Sequence, residues 1–575
     1  MICTSPSWVP LVGGEDPDSK PVYEYLTDQA AAISRPTSKA PFVDALSGKS
    51  YSIRDVATRV EWLARSIARY TGWLPNCGSP YDKVVAIHSL NTIDYFVICW
   101  AVHRLGGICL PIHSTTTAEE MVSHLDSAQC KTIFTCNQLA PICLEVAEKL
   151  SIPSERTYVM PLSEEYESQG ANLTDKFMSI EQLIDEGSRL DSLEPLKWVK
   201  GQSKSQVAFL CPTSGTSGRQ KLAMLTHYGM ALNVMQLTAF ENFTKKGHSE
   251  VASGVIPFSH CYGLFLGHMA VYRGDTLIVF PRFDMQLMLS CVPKYCIERL
   301  WLFPSFLSQV PPILAALADN PFLFEMFDLS TVRTIVTGAA PLSKSLAQRI
   351  ETLQPMWKLL HAYGLTETCV IATITSQHDI WYGSSGSLLP RVELRLVRDD
   401  GQIVSGHDEQ GEICFRAPNI FVGYLGNEVA TQQTIDANGW MRTGDIGLMR
   451  TGPHGYEHLF VLDRIKDMIK VKGTQVLPLD IEALLVTHSA VVEAAVIGVP
   501  DGLAGERPQA YIVRSTSVMS DLDEDALRES IEDLVEGKLH ETHWLHGRIE
   551  FLPSIPKSQN GKVLKKNLRA MATTA

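Results

Sequence analysis

The sequence predicts an α/β protein. A large N-terminal domain of parallel-type α/β subdomains, with a small β-rich subdomain, precedes a small α+β C-terminal domain. Three observations carry this. Short apolar runs alternate with helical segments between residues 84 and 338. Near residue 383 the texture changes to short strands separated by Gly- and Asp-containing turns. After Asp463 a compact stretch of mixed helix and strand patterns takes over. Regular strand–helix alternation implies parallel sheets covered by helices.

The elements follow in chain order. VVAIHSL (84–90) is a strand, DYFVICWAVHRLG (94–106) a buried helix stopped by Gly106-Gly107, and ICLPI (108–112) a strand. Thr117 and Glu120 form a capping box before a second helix. TIFTC (132–136) is again a strand. VAFLCP (207–212) runs into a Gly/Ser/Thr loop, and SGVIPF (253–258), TLIVFP (276–281) and TIVTG (334–338) are strands. VELRLV (392–397), GEICFRA (411–417) and HLFVLD (458–463) form the β-rich unit. In the last stretch DIEALLVTH (480–488) is a helix with Asp480 as its N-cap. VVEAAVIGV (491–499) and AYIVRS (510–515) are strands, and residues 525–539 form a helix with Leu527, Ile531 and Leu534 on one face. The segment 556–569 is basic with few apolar positions.

Composition narrows the function. At roughly 100–200 residues per domain, length alone predicts about three to five domains. Apolar residues are 45% and charged residues 20%, ordinary globular usage. The net charge of −13 disfavours a general nucleic-acid binder or a polybasic membrane binder. It leaves room for a local basic patch around one small anion. Thirteen scattered cysteines with no C-x-x-C predict reduced thiols, not a disulfide framework or a zinc site. The most apolar stretch, residues 95–112, is interrupted by His103 and Arg104, so no membrane span is expected. There is no signal peptide and no S-K-L ending, which predicts a cytoplasmic protein.

Four clusters carry chemistry. Thr213, Ser214, Gly215, Thr216, Ser217, Gly218 and Lys221 offer backbone N–H groups, hydroxyls and a cation after a strand, a set suited to phosphate. Gln220 and Leu222 exclude a Walker A loop. Tyr363-Gly364-Leu365-Thr366-Glu367-Thr368 places an aromatic ring, a hydroxyl and a carboxylate together. Thr443-Gly444-Asp445, followed by Asp463-Arg464-Ile465-Lys466, offers a carboxylate able to accept from both ribose hydroxyls. Pro556-Lys557-Ser558-Gln559-Asn560-Gly561-Lys562 places a mobile cation beyond a tight turn. Taken alone, the first cluster reads as readily as a flexible linker, and the other three read more readily as surface turns or a solvated tail. No G-x-G-x-x-G, G-x-S-x-G or H-E-x-x-H is present, which weakens dehydrogenase, serine-hydrolase and zinc-protease readings.

Taken in order, with Asp-Arg-Ile-Lys-Asp-x-Ile-Lys (463–470) between the third and fourth, these motifs resemble the adenylate-forming superfamily over about residues 25–570. Its members are acyl- and aryl-CoA synthetases, luciferases and peptide-synthetase adenylation domains. The resemblance implies ATP, Mg2+ and coenzyme A, with an acid activated as acyl-AMP and passed to a thiol. A carrier-protein phosphopantetheine is the alternative acceptor, and a non-catalytic nucleotide-binding homologue is the other alternative.

The resemblance also implies roles. The 213–221 loop would cover the β/γ-phosphates. Gly338, Ala339, Ala340 and Tyr363 would sandwich adenine. Thr366 would hold the α-phosphate and Glu367 the metal. Asp445 and Arg464 would bind ribose. Lys562 would bridge the carboxylate and the α-phosphate. It implies an N-terminal domain over 1–463 and a mobile C-terminal domain over 464–575 hinged at Lys466, which would bring Lys470, Gly473 and Gln475 to the site for thioester formation. His260 would gate the acyl pocket. Cys261, Tyr262, Leu266, Phe303, Ala339, Val370 and Ile371 would line it, an apolar set suited to an aliphatic or unsubstituted aryl acid. The segment 257–264 lacks the carboxylate that an amino-acid substrate would need. Two departures stand out: Gln220-Lys221-Leu222 replaces the family's Pro-Lys-Gly, and Thr474 replaces a bulky residue.

Overall fold

Strands that are apolar on both faces must be covered on both faces, and the first sheet shows this directly. Val84–His88 and Ile108–Ile112 are buried at every position. They are central strands in the computed structural model, which describes residues 1–575 except 33–39, 164–165, 167–175, 214–219, 243–248, 303–312, 339–341, 343, 516–522, 558–562 and 575; for 30–32, 242, 573 and 574 only the backbone is described.

Their sheet runs Thr157–Val159, Ile133–Thr135, Val84–His88, Ile108–Ile112, Val207–Thr213, Lys221–Thr226, parallel except for the last pair. The expected capping box forms. Thr117 Oγ1 accepts from Glu120 N at 3.3 Å, and Glu120 Oε2 accepts from Thr117 N at 3.0 Å.

A second sheet has nine strands, ordered Ser387–Leu388, Thr373–Ile374, Lys358–Tyr363, Thr334–Gly338, Arg299–Leu302, Val251–Gly254, Thr276–Val279, Phe42–Asp44, Ser50–Tyr51. Its middle is parallel and its rims are antiparallel. The strand expected at 253–258 is Val251–Gly254 instead. The chain leaves the ladder before Pro257, which has no N–H to donate. Three further strands escape the apolar pattern: Lys221–Thr226, Arg299–Leu302 and Lys358–Tyr363 each open on a charged residue.

The change of texture near 383 marks a four-stranded antiparallel sheet of Glu393–Val397, Gly411–Arg416, Met441–Thr451 and Glu457–Arg464. Beyond it a further sheet runs Thr474–Val476, Ile469–Val471, Gly505–Arg514, Val491–Asp501, with Ile549–Phe551 added parallel to Gly505–Arg514. It carries its own core, including Val496, Ile512, Leu527 and Ile531. Asp480 is not the N-cap of its helix. The helix spans Pro478–Leu485 and Leu477 precedes it, because Pro478 with its fixed φ opens the first turn. The basic tail is also more structured than its composition implies. Lys565–Thr574 is a helix, Leu568 is fully buried, and Tyr511 donates to Leu568 O at 3.0 Å.

All thirteen cysteines are unpaired, with Cys77 and Cys296 exposed. Among the described residues no helix is long and apolar enough to cross a membrane.

Candidate functional site

The site forms where the two parallel sheets and the antiparallel sheet deliver their loops. Strand Lys358–Tyr363 pairs in parallel with Thr334–Gly338, setting Gly338 beside Ala362. The chain then turns so tightly that a Cβ on Gly364 would lie 1.8 Å from Val370 O, so only glycine fits. Cys369 and Val370 take positive φ of 52° and 118°. For a β-branched residue this is a strained conformation, of the kind that clusters at functional sites. Between these points the short helical turn Thr366–Thr368 presents Thr366 and Glu367.

One end of the site is a buried carboxylate. Asp445 is 4% exposed and sits opposite Arg464 in the antiparallel sheet. Its Oδ2 accepts from the Tyr363 hydroxyl at 2.7 Å and its Oδ1 lies 3.2 Å from Arg464 Nε. Burial, then Asp445, pushes the Tyr363 hydroxyl's pKa well up, so it stays a donor. An aromatic face, a carboxylate and a guanidinium held this way suit a nucleoside.

The other end joins Lys221 to Glu367. Lys221 faces Thr213 across the hairpin and its ammonium lies 4.7 Å from the centre of the Tyr424 ring. The Tyr424 hydroxyl donates to Glu367 Oε1 at 2.7 Å. Gln220, where the family has proline, is tied by Oε1 to His124 Nε2 at 2.8 Å. Sequence reasoning missed Tyr424. Only the fold brings it 57 positions back to Glu367, and a Gly-Tyr pair in a loop carries no signal of that. Among the described residues no group of three or more His, Cys, Asp or Glu could hold a metal. Glu367 is a single carboxylate, the donor set expected where Mg2+ takes its other ligands from phosphates and water.

The helix Cys261–Arg273 approaches Thr366 end-on. His260 caps it, with Nδ1 accepting from Tyr262 N at 3.2 Å. That bond requires Nδ1 unprotonated, and desolvation, then His113, brings the His260 pKa down to about 4. Cys261 Sγ lies 3.4 Å from Thr366 Oγ1. Tyr262, Leu266, Val370 and Ile371 are buried. Asn233 fixes the Ile371 backbone from both sides, at 2.7 and 3.0 Å.

The C-terminal candidates contact other groups. Lys466 lies in the turn Ile465–Asp467, where Arg569 donates to its carbonyl at 3.2 Å and burial lowers its pKa. Lys470 and Gln475 face each other across a hairpin turned at Gly473, whose φ is +82°. Lys470 N donates to Glu506 at 2.8 Å, and the Gln475 amide donates to Asp399 at 2.5 Å. Among the described residues no contact joins either to Thr366 or Glu367. Ser214, Gly215, Thr216, Ser217, Gly218, Phe303, Ala339, Ala340 and Lys562 lie outside the described residues.

The sequence profile of the AMP-binding enzyme family matches residues 29–425, and that of the AMP-binding enzyme C-terminal domain matches 480–562. The chain belongs to the AMP-binding enzyme family. This AMP-binding enzyme is 54% identical to acyl-CoA ligase cm3C of Cordyceps militaris, over 100% of this chain and 91% of that protein. It is also 54% identical to acyl-CoA ligase easD of Emericella nidulans, over 99% and 100%. Its fold matches ATP-bound MatB from Rhodopseudomonas palustris with a TM-score of 0.77 at 23% identity, covering 95% and 98% of the two chains. It matches an anthranilate CoA ligase in complex with anthranoyl-AMP with 0.79 at 21%, covering 96% and 99%.

Proposed function

We propose that this chain is an ATP- and magnesium-dependent acid–thiol ligase, which activates a largely apolar carboxylic acid as acyl-AMP and transfers the acyl group to coenzyme A. The full-length similarity to two proteins named acyl-CoA ligases supports the reaction class. The observation that carries the site assignment is the continuous set from Asp445 through Tyr363 and Thr366–Glu367 to Tyr424 and Lys221.

Asp445 and Arg464 bind the ribose, and Tyr363 with Gly338, Ala339 and Ala340 encloses the adenine. Thr366 holds the α-phosphate, and the 213–221 loop with Lys221 covers the β- and γ-phosphates. Glu367 would hold Mg2+, which would neutralise phosphate charge. The acid's carboxylate enters past neutral His260 and attacks the α-phosphorus in line, with pyrophosphate leaving. Lys562 bridges the attacking oxygen and the α-phosphate, stabilising charge as it develops.

For the second half-reaction the unit beyond residue 463 turns about Lys466. Lys470 and Gln475 then reach the acyl-adenylate and Gly473 lines the thiol's path. Thiol attack on the acyl carbon expels AMP. On this reading the Gln475–Asp399 contact belongs to the arrangement before the turn.

The test is acid-dependent exchange of pyrophosphate into ATP. Lys562→Ala should lower it by ~10²–10³, whereas Lys470→Ala should spare exchange and slow thioester formation. Full exchange in Lys562→Ala, or equal damage to both half-reactions in Lys470→Ala, would overturn these assignments.

A further inference from the structure

A buried polar donor without a partner costs about 1–3 kcal/mol, so each one in a native protein calls for an explanation. Two residues that carry such donors, Arg299 and Trp301, lie together beside the Cys261–Arg273 helix. Among the described residues Trp301 Nε1 and Arg299 Nε and Nη2 are buried and make no hydrogen bond. Both belong to strand Arg299–Leu302, two residues apart and hence on one face of the sheet. The Arg299 guanidinium lies 5.1 Å from the centre of the Trp301 ring.

These donors are held in place. Arg299 Nη1 is 2.7 Å from Glu241 Oε1, and its Nε is 2.9 Å from Glu250 Oε2. Arg273 shares Glu241 at 2.7 Å and reaches Asp275 at 3.1 Å. One hydrogen bond to Glu241 and an ion pair with Glu250 thus hold the guanidinium, while Nε and Nη2 make no hydrogen bond among the described residues. The Trp301 backbone is pinned by a 2.9 Å bond to Ser253 Oγ. Fixed donors of this kind do not have to reorganise to bind an acceptor.

They also connect to the reaction centre. Cys261 Sγ touches Thr366 Oγ1 at 3.4 Å. The next residue, Tyr262, packs edge-on against Trp301, with ring centres 5.9 Å apart and planes at 87°. Arg299 and Glu241 both act electrostatically on the Tyr262 hydroxyl. The path from the α-phosphate residue to the paired donors is therefore Thr366, Cys261, Tyr262, Trp301, Arg299.

We propose that the deep end of the acyl site is a polar subsite, in which Trp301 Nε1 and Arg299 Nη2 donate to one oxygen, a hydroxyl or keto group, on the acid's chain. This rests on the ligase reading and sharpens its substrate class. The acid is apolar where it passes Cys261, Leu266 and Ile371, and oxygenated further along.

The test is a set of medium-chain acids matched in length, each unsubstituted or carrying a hydroxyl or keto oxygen at one successive position. Pyrophosphate release and thioester formation are measured for wild type and Trp301→Phe, which keeps the ring and deletes the N–H. One oxygen position should raise kcat/KM about 10–10²-fold over the unsubstituted acid. Trp301→Phe should remove most of that advantage, lowering kcat/KM for the favoured oxygenated acid far more than for the unsubstituted one. Equal rates for every matched acid would overturn the subsite and assign the two donors to buried water. Retention of the oxygen preference in Trp301→Phe would overturn the role of the indole. Absence of acid-dependent pyrophosphate release from the whole set would instead count against the ligase reading.

Discussion

Tyr424 joins Lys221 to Glu367 in the proposed phosphate site. Its ring lies under the Lys221 ammonium and its hydroxyl holds one oxygen of Glu367 at 2.7 Å. Chain connectivity supports the same contact, since Phe421 N donates to Glu367 O at 2.8 Å and Leu425 N to Leu222 O at 2.9 Å. The segment around Lys221 is thus held by the Tyr424 contacts and by the Gln220–His124 bond. A hydrogen bond to a charged group contributes about 1.5–3 kcal/mol. Tyr424→Phe should therefore raise the Mg2+ concentration for half-maximal pyrophosphate exchange about 10–10²-fold, with the acid's KM little changed. Tyr424→Ala should in addition raise the KM for ATP, because the ring under Lys221 is lost. A Mg2+ titration identical to wild type in Tyr424→Phe would show that Tyr424 does not tune Glu367. At this scale the sequence was informative for groups inside a motif and silent for their partners. Glu367 and Asp445 are readable because their neighbours in the chain are distinctive. Tyr424, Trp301 and Arg299 are brought in by folding alone, and Arg299 even masks its own strand, since a charge at a fully buried strand position breaks the apolar pattern.

The helix Cys261–Arg273 shows how an element, more than any one side chain, places the acyl end. It is buried at every position, so an amphipathic pattern could not have announced it. Its seat is instead made by two glycines. A Cβ on Gly263 would lie 2.2 Å from Pro257 O, and one on Gly267 would lie 2.0 Å from the Phe96 ring. The first neighbour is backbone and cannot swing aside. Gly263→Ala should push the helix N-terminus off its seat, costing about 1–3 kcal/mol of stability. It should also raise the KM for the acid by displacing Cys261 from Thr366. A Cβ on Gly537, in helix Glu524–Lys538, would meet nothing within 4 Å, and Gly537→Ala should be neutral or stabilising by up to about 1 kcal/mol. Thermal unfolding of the pair, with acid kinetics for the first, checks this. Equal melting temperatures for the two variants would contradict it. The same contrast explains which elements were legible. Strands with continuous apolar runs and the Thr117–Glu120 cap declared themselves locally. The Pro478 helix start is a local signal as well, a proline at the first helical position, whereas the tail helix around Leu568 depends on a tertiary surface that the local pattern does not contain.

For the whole molecule, the acidic balance of −13 looks at first as if it were offset by a basic C-terminus gathered for anionic substrates. The described cations there are largely partnered within the same unit. Lys557 pairs with Glu493, Lys565 with Glu482 at 3.2 Å, and Arg569 with Asp467 at 3.1 Å. Lys565 and Arg569 tie the tail helix to helix Pro478–Leu485 and to the turn Ile465–Asp467, and Lys562 is the cation of that segment to which the proposed function gives a chemical role. A second charge feature governs stability. His88, His103, His227 and His268 are 0–1% exposed within the two parallel-sheet layers. Desolvation is the first cause in each case and lowers the pKa of His88 to about 4, of His103 to about 3 and of His268 to about 4, with His227 well below its ordinary value. The unfolded chain binds these protons below about pH 6.5, whereas the folded chain resists them until about pH 4. Their contribution is therefore fully present well above pH 6.5 and is lost as pH falls, at up to about 1.4 kcal/mol per pH unit for each histidine. Buried Asp94 and Glu482 shift upward and work in the opposite direction. The histidines dominate between pH 6.5 and 5, because four of them titrate there in the unfolded chain while ordinary carboxylates remain ionised. Denaturant midpoints measured at pH 7.5, 6.5, 5.5 and 5 should fall slightly over the first step, as the unfolded histidines reach half protonation, and then steeply. His268→Gln should flatten that fall by about one proton's worth in slope, whatever it does to stability at pH 7.5. A midpoint that holds steady down to pH 5 would mean that these histidines gain protons in the folded state as readily as in the unfolded one.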